Sequence, residues 1–251
     1  MNNIITSCFF TSKNDPQRFS RLPNTFDPIK AWYDSIMEAG LNGILFYDTL
    51  DDKTVNTYSN ESIKFIKDDS YAEQPFSAAE HRWTLYKEYF KNNLHDNIFA
   101  TDCTDVLVKS DPFSDIKFLI NEDSFFIGKE DKPKTNRLNQ WMIRQFNYCY
   151  PNDSDINTLA LDQPVLNCGI VGGAYENFIK ITSLMSEEIL RINPTPESCA
   201  EKGIPFTVDM GVLNYIGYKH LGADNIISGE PVHSLYKSYE ETRDDVWFIH
   251  K

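Results

Sequence analysis

The sequence predicts one α/β domain with a mixed, mainly parallel central sheet and helices on the faces of that sheet. Its first fifty residues spell strand, helix, strand, which is typical of a right-handed βαβ unit. Short apolar runs then keep alternating with helical patterns along the chain, as in α/β proteins. The length of 251 residues suits one large domain, and neither a repeat nor a linker composition divides residues 1–251.

The elements of the first half each have a local signal. Residues 4–10 are nearly all apolar or small, as expected for a buried parallel strand. After a polar loop, the apolar spacing predicts a helix over residues 29–39 with Gly40 as its C-cap. Two further strands are predicted over residues 43–47 and 62–67. Ser77 should begin a helix that runs to residue 93, because Glu80 completes a capping box three positions on.

The second half continues this alternation and completes a Rossmann-like pattern. Apolar residues at intervals of three or four predict a long helix over residues 175–192, with one face in the core. A helix over residues 207–220 should open at Asp209. The other predicted elements are strands at 98–100, 106–108, around 116–120 and 166–172, a helix at 136–150 and a strand-like end at 246–250.

Composition and charge narrow the classes of partner. An apolar fraction of 41% is ample for a core, so disorder is not expected. A net charge of -13 argues against nucleic acid and anionic membranes as partners, because proteins bind both through clustered Lys and Arg. A phosphorylated ligand stays open, because a metal ion can bring the positive charge that such a ligand needs.

The cysteine pattern and the hydropathy give an expectation about location. Five scattered cysteines without a CxxC pair resemble neither a disulfide framework nor a zinc site, and they fit reduced thiols. The sequence shows neither a signal peptide nor an apolar run long enough to span a bilayer. A cytoplasmic protein without a transmembrane segment is therefore expected.

Two acids interrupt an otherwise apolar stretch, IFATDCTDVLVKSDPF, at residues 98–113. Asp102 and Asp105 follow a predicted buried strand, where an unpaired carboxylate would be costly. In open α/β sheets the crevice beyond the carboxyl ends of the strands is the ligand site, and paired carboxylates there suit Mg²⁺ or Mn²⁺. The structural alternative is that either acid caps a turn or accepts backbone N–H bonds.

The segment FATDCTDVLVKSDPF resembles the metal-binding strand end of nucleotide-sugar-dependent glycosyltransferases of the GT-A fold, the DxD-type, metal-dependent class. Four other segments resemble motifs of that family in the same order: AEHRWTLYKEYF, LNCGIVGG, VDMGVLNYIGY and WFIHK. The resemblance covers most of the chain and implies a GT-A-like domain with Mn²⁺ or Mg²⁺ as cofactor. One departure is the spacing, since Asp102 and Asp105 are three positions apart rather than two. Asp105 is thus the firmer ligand, whereas Asp102 could instead reach the ribose or bind the ion through water.

The same resemblance assigns roles to further residues. It places Arg82 at the nucleotide, and a guanidinium can fork onto phosphate oxygens or stack on a base. It makes His250 the third metal ligand beside Asp105 and Asp102. His233 is a rival for that place, and with Lys237 it could instead meet the donor phosphates, or it could have only a structural role. The donor-lining positions in the small-residue strand are Asn167, Gly169, Gly172 and Gly173, although these glycines could simply shape a turn or bulge.

The acid that serves the acceptor has two candidates. Asp209 could accept the proton of the attacking hydroxyl, could orient the sugar, or could be only a helix N-cap. Asp162 is the second candidate for the same catalytic duty.

The function implied is transfer of a sugar from a nucleoside-diphosphate-sugar, with a UDP-sugar favoured, to an acceptor hydroxyl of a glycan or glycoconjugate. One alternative is a non-catalytic domain that binds nucleotide-sugars. Another is a sugar nucleotidyltransferase, against which the glycine-free loop ITSCFFTSKNDPQRF argues.

Overall fold

A seven-stranded mixed sheet forms the centre of the fold in the computed structural model, which describes residues 2–15, 18–130, 137–153, 155–156, 158, 163–204, 207–233 and 245–250. Its strands are β1 (Asn3–Phe9), β2 (Gly43–Tyr47), β3 (Ile63–Lys67), β4 (Asn97–Thr101), β6 (Phe125–Glu130), β7 (Val165–Ala174) and β8 (Ile226–Ser228). They lie side by side in the order β3-β2-β1-β4-β7-β6-β8. The predicted α/β fold with a mainly parallel sheet is confirmed.

Eight α-helices within the described residues cover this sheet and its edges. They are α1 (Lys30–Glu38), α2 (Asp52–Tyr58), α3 (Ala78–Asn92), α4 (Ile116–Leu119), α5 (Arg137–Cys149), α6 (Tyr175–Ile192), α7 (Pro196–Glu201) and α8 (Asp209–Ile216). The predicted capping box of Ser77 and Glu80 starts α3. Gly40, at φ +67°, follows α1 in the left-handed conformation that glycine adopts without strain. None of these helices is both long and apolar enough to cross a lipid bilayer.

Two apolar cores lie on the two faces of the sheet. One contains Trp83 and Phe90 of α3 with Phe178 and Met185 of α6. The other contains Trp32 of α1 and the aromatic residues that surround Phe99. Because both faces are covered, the parallel strands read as continuous apolar runs, and β2 is buried at every position.

The strand directions place several strand ends at one edge of the sheet. β1 and β4 run parallel, and β7 is antiparallel to both β4 and β6. The carboxyl ends of β1, β4 and β6 therefore meet the beginning of β7 at the same edge. A chain reversal through residues 102–105 then leads to β5 (Val106–Val108), which pairs antiparallel with β9 (Phe248–His250) in a separate small sheet.

Two element predictions need correction. The strand predicted around residues 116–120 is wrong, because this segment forms the short helix α4. Asp115 caps that helix by accepting from the Lys117 N–H at 2.7 Å, and Phe118 alone in it is buried. The helix predicted over residues 207–220 begins at Asp209 as expected, but its α-helical part ends at Ile216, and a π-helical turn follows over Gly217–Leu221.

Candidate metal centre and its cavity

Three side chains that the sequence predicted as metal ligands converge at the carboxyl edge of the sheet. Asp102 directly follows β4, Asp105 lies in the reversal before β5, and His250 ends β9. The Asp102 N–H donates to the Gly169 carbonyl at 2.9 Å, which ties this reversal to β7. The pairing of Val106 with His250 brings the last described residue to the same place. One ligand atom from each side chain lies within 4.8 Å of the other two.

The surroundings of Asp105 favour a cation. The pKa of its carboxyl is raised to about 7, first by burial and then by the negative charge of Asp102. Its Oδ2 lies 3.9 Å from His250 Nε2, whereas its buried Oδ1 has no hydrogen-bond partner among the described residues. Two carboxylates and an imidazole form a donor set that Mn²⁺ accepts readily. A bound cation would relieve both the burial of Asp105 and its repulsion by Asp102.

Arg82 bridges two of the predicted acids. From α3, its Nη1 donates to Asp102, and its Nη2 donates to Asp209 Oδ2 at 3.1 Å and to the Cys168 carbonyl at 3.3 Å. Asp209 is the first residue of α8 and its neighbour Val208 occupies the N-cap, so the N-cap role considered for Asp209 is wrong. Burial raises the pKa of the Asp209 carboxyl, and the charge of Arg82 opposes that rise.

Two buried side chains hold the backbone around Asp209. Glu80 accepts from the Val208 N–H at 2.8 Å and from the Ser77 N–H at 3.1 Å, and it therefore joins the starts of α3 and α8. Gln145 donates to the Thr207 carbonyl at 3.0 Å and accepts from the Gly211 N–H at 2.6 Å. Backbone groups on both sides of Asp209 are thus satisfied by side chains from α3 and α5.

The first residues of β7 form one wall of the site. Asn167 accepts from the Gly169 N–H at 2.6 Å and donates to Glu130 Oε1 at 2.7 Å. Gly169 faces the His250 imidazole so closely that a Cβ added there would lie 2.9 Å from His250 Nε2. The absence of a side chain at Gly169 is therefore what admits His250 to the cluster.

The other glycines of this strand do not line the cavity, contrary to the prediction. A Cβ at Gly172 would lie 2.6 Å from the Ile98 carbonyl oxygen and would overlap the ring of Phe99, so this glycine serves the packing of the sheet. Gly173 has φ +147°, which favours glycine, and it packs against the Ser124 carbonyl. The structure thus requires glycine at positions 169, 172 and 173 for three different reasons.

The structure also separates His233 from the cluster. His233 is fully buried, and its Nε2 accepts from the Lys129 N–H at 2.8 Å. It does not line the cavity beside the acids. Lys237 and Asp162, the two remaining candidates, lie outside the described residues.

A cavity of about 370 Å³ opens beside the three ligands. Besides the predicted residues, its walls contain side chains that sequence reasoning missed: Lys13, Arg18, Tyr71, Glu130 and Trp141. Glu130 had a detectable signal, because it closes the segment FFIGKE at the strand end where α/β proteins bind ligands. Lys13 and Arg18 lie in the loop after β1, whereas Tyr71 and Trp141 lie in helical segments, and nothing in their local pattern distinguishes these four residues.

Fold and site together define an α/β protein with a candidate divalent-cation centre at the carboxyl edge of a mainly parallel sheet. Comparison of the chain with protein-family models and with curated proteins gives no match. The case for a function therefore rests on the geometry of the site and on the motifs in the sequence.

Proposed function

We propose that this chain is a metal-dependent glycosyltransferase. It would move a sugar from a nucleoside-diphosphate-sugar, with a UDP-sugar favoured, to an acceptor hydroxyl of a glycan or glycoconjugate. The observation that carries the proposal is the convergence of Asp102, Asp105 and His250 beside a cavity that also contains the Arg82–Asp209 ion pair. The five GT-A-like motifs in their family order support the same activity.

Asp105, His250 and Asp102 would hold Mn²⁺ or Mg²⁺. When bound, the ion supplies Lewis-acid stabilisation of the charge that develops on the leaving diphosphate. In the transfer, the bond from the anomeric carbon to the diphosphate oxygen breaks and a bond to the acceptor oxygen forms, while the acceptor hydroxyl loses its proton. Arg82 keeps Asp102 oriented, and Asp209 presents a carboxylate to the sugar, either to orient it or to receive that proton.

The compartment is part of the proposal. All five cysteines are free thiols, and four of them are buried. Free thiols persist in reducing compartments. We therefore place the activity in the cytoplasm.

The test is calorimetry and donor-hydrolysis kinetics with a panel of UDP- and GDP-sugars, with and without Mn²⁺. We expect donor binding that needs the metal, slow hydrolysis, and a loss of turnover of at least about 100-fold in Asp105→Ala. Asp123→Ala, which removes an exposed carboxylate outside the cavity, is the matched control and should behave like the wild type.

The outcomes separate the alternatives. Metal-dependent binding without turnover would indicate a non-catalytic nucleotide-sugar-binding domain. Formation of a nucleotide-sugar from a sugar phosphate and a nucleoside triphosphate would indicate a nucleotidyltransferase. Wild-type turnover in Asp105→Ala, with unchanged circular dichroism, would refute the metal centre.

A further inference from the structure

The helix α8 begins without a capping side chain of its own. Val208 occupies its N-cap, and a valine side chain cannot accept a hydrogen bond from the first turn. The N–H groups at the start of a helix have no partner within it and must be satisfied from outside. Two buried side chains accept from two of these groups, Glu80 from the Val208 N–H and Gln145 from the Gly211 N–H. The place where α8 starts is therefore set by other elements of the fold.

Gln145 lies among apolar residues on the buried face of α5. Its neighbours Met142, Phe146 and Cys149 belong to the apolar core, whereas Gln145 is equally buried and carries an amide. A buried amide is costly unless its donor and its acceptor are both hydrogen-bonded. The Gln145 Nε2 donates to the Thr207 carbonyl at 3.0 Å, and its Oε1 accepts from the Gly211 N–H at 2.6 Å. An apolar side chain could fill the same space, so these two hydrogen bonds are what the amide adds.

The two hydrogen bonds of Gln145 lie on either side of Asp209. Thr207 is two positions before Asp209 and Gly211 is two positions after it, so one side chain fixes the backbone at both places. The contact is close, because a Cβ added at Gly211 would lie 2.6 Å from Gln145 Oε1 and 2.8 Å from Gln145 Cβ. Gln145 thus limits both the rotation and the shift of the first turn of α8.

The position of this turn matters because Asp209 and Met210 line the cavity. Asp209 is only 4% exposed, and Arg82 donates to its Oδ2 at 3.1 Å. Trp141 lies one helical turn before Gln145 on α5 and lines the same cavity. Gln145 itself is not among the residues that line the cavity. The helix α5 therefore forms part of the cavity wall and, behind that wall, holds the helix that carries Asp209.

We infer that Gln145 is a positioning residue of the transfer step: through the backbone of α8 it fixes where the Asp209 carboxylate meets the attacking hydroxyl. The inference rests on the proposed transferase function and deepens it. A misplacement of about 1 Å in a group that orients the reactants can lower the rate by about 100-fold. Loss of the Gln145 hydrogen bonds should therefore reduce turnover, while the cation keeps its three ligands and the donor keeps its contacts with them.

The test is the hydrolysis, with Mn²⁺ and with water as the acceptor, of the nucleotide-sugar that the wild type cleaves fastest. Gln145→Met keeps the length of the side chain and removes both hydrogen bonds. We expect its kcat to fall at least about tenfold, while the donor KM and the dissociation constant of Mn²⁺ change less than about twofold. Gln140→Met, at an exposed position of the same helix, is the matched control and should keep the wild-type kcat.

A second comparison separates positioning from structural damage. Asp209→Asn keeps the residual turnover that the metal centre supports, and in this background Gln145→Met should lower kcat by less than about a further twofold, because its effect acts through the Asp209 carboxylate. A structural defect would lower kcat equally in both backgrounds. Gly211→Ala disrupts the same contact from α8, so the test does not depend on the folding of Gln145→Met. Its new methyl group displaces Gln145, and it should show the same loss of kcat and the same dependence on Asp209.

The inference is overturned if Gln145→Met and Gly211→Ala keep kcat within twofold of the wild type. It is also overturned if either variant lowers kcat as much in the Asp209→Asn background as in the wild type. Failure of the proposed function has a different signature, namely no metal-dependent hydrolysis of any nucleotide-sugar by the wild type, and that result would overturn this inference as well.

Discussion

At the scale of single residues, the candidate metal centre depends on a position where a side chain is missing. His250 contacts the backbone of β7 at Gly169, and the Gly169 N–H is fixed by Asn167 at 2.6 Å. β7 cannot easily move away from His250, because the Gly169 carbonyl also accepts a hydrogen bond from the Asp102 N–H. The imidazole and the carboxylate are thus positioned by the same residue of β7.

Gly169→Ala should therefore weaken divalent-cation binding by at least about tenfold, since the new methyl group displaces His250 from the ligand set. Calorimetric titration with Mn²⁺ measures the change. Gly40→Ala is the matched control: at φ +67° it should cost about 1 kcal/mol of stability and leave the Mn²⁺ affinity unaltered. Equal Mn²⁺ affinity in both variants would contradict the role assigned to His250.

At the scale of elements, the starts of α3 and α8 are joined through one buried carboxylate. Glu80 caps its own helix at Ser77 and accepts from the N–H that precedes Asp209. The Arg82–Asp209 ion pair joins the same two helices, and its residues are 127 positions apart in the sequence. A shift of either helix would therefore disturb both the hydrogen bonds of Glu80 and the ion pair.

The pKa of Glu80 is raised from 4.5 to about 7, by burial first and by the charge of Asp209 second. A carboxyl whose pKa is higher in the folded protein stabilises the fold below its unfolded pKa, and this contribution is lost as the pH rises through the folded value. The loss for Glu80 should be about 3 kcal/mol between pH 4.5 and pH 7.

Urea unfolding of Glu80→Gln on either side of this window should show a flatter dependence of the free energy of unfolding on pH. Some dependence should remain, because the pKa of Asp105 is raised in the same direction. A dependence as steep as that of the wild type would mean that Glu80 is not the titrating group. Ser77→Ala, which weakens the same cap but leaves the carboxyl, should keep the steep dependence.

At the scale of the whole molecule, a cation that binds only the folded chain should stabilise it. We expect Mn²⁺ at about 100 times its dissociation constant to raise the melting temperature by about 5–10 °C. Asp105→Asn should remove this rise, because it takes away the ligand whose Oδ1 is buried without a partner among the described residues. Calorimetric melting with and without EDTA gives the comparison, and an equal rise in the variant would place the cation elsewhere.

How far the sequence predicts this molecule depends on how local each signal is. Buried parallel strands such as β2 and long amphipathic helices such as α6 are visible because their patterns repeat within a few residues. The strand predicted for the segment IKFLI is wrong because the apolar residues of the segment fit a strand, whereas the N-cap Asp115 starts a short helix there. The pairing of strands is harder to predict. β7 lies antiparallel between β4 and β6, and no local sequence pattern indicates that placement.

The same limit applies to the site. The motif order predicts Asp102, Asp105 and His250 together, but Glu130 and Trp141 join them only because β6 and α5 reach the same edge. Gly172 was misassigned because the sequence cannot tell a glycine under an aromatic ring from one beside a ligand. Positions that depend on a distant neighbour carry no sequence signature of their own.

The small β5–β9 sheet has a consequence for how the chain matures. Val106 and His250 are far apart in the sequence, and non-local pairings of this kind are slow to form. The helices could be fully formed while a cation at the candidate site would still have only two of its three ligands. The affinity for Mn²⁺ would then report whether β5 and β9 have paired. It would detect a loss of this pairing that circular dichroism of the helices does not show.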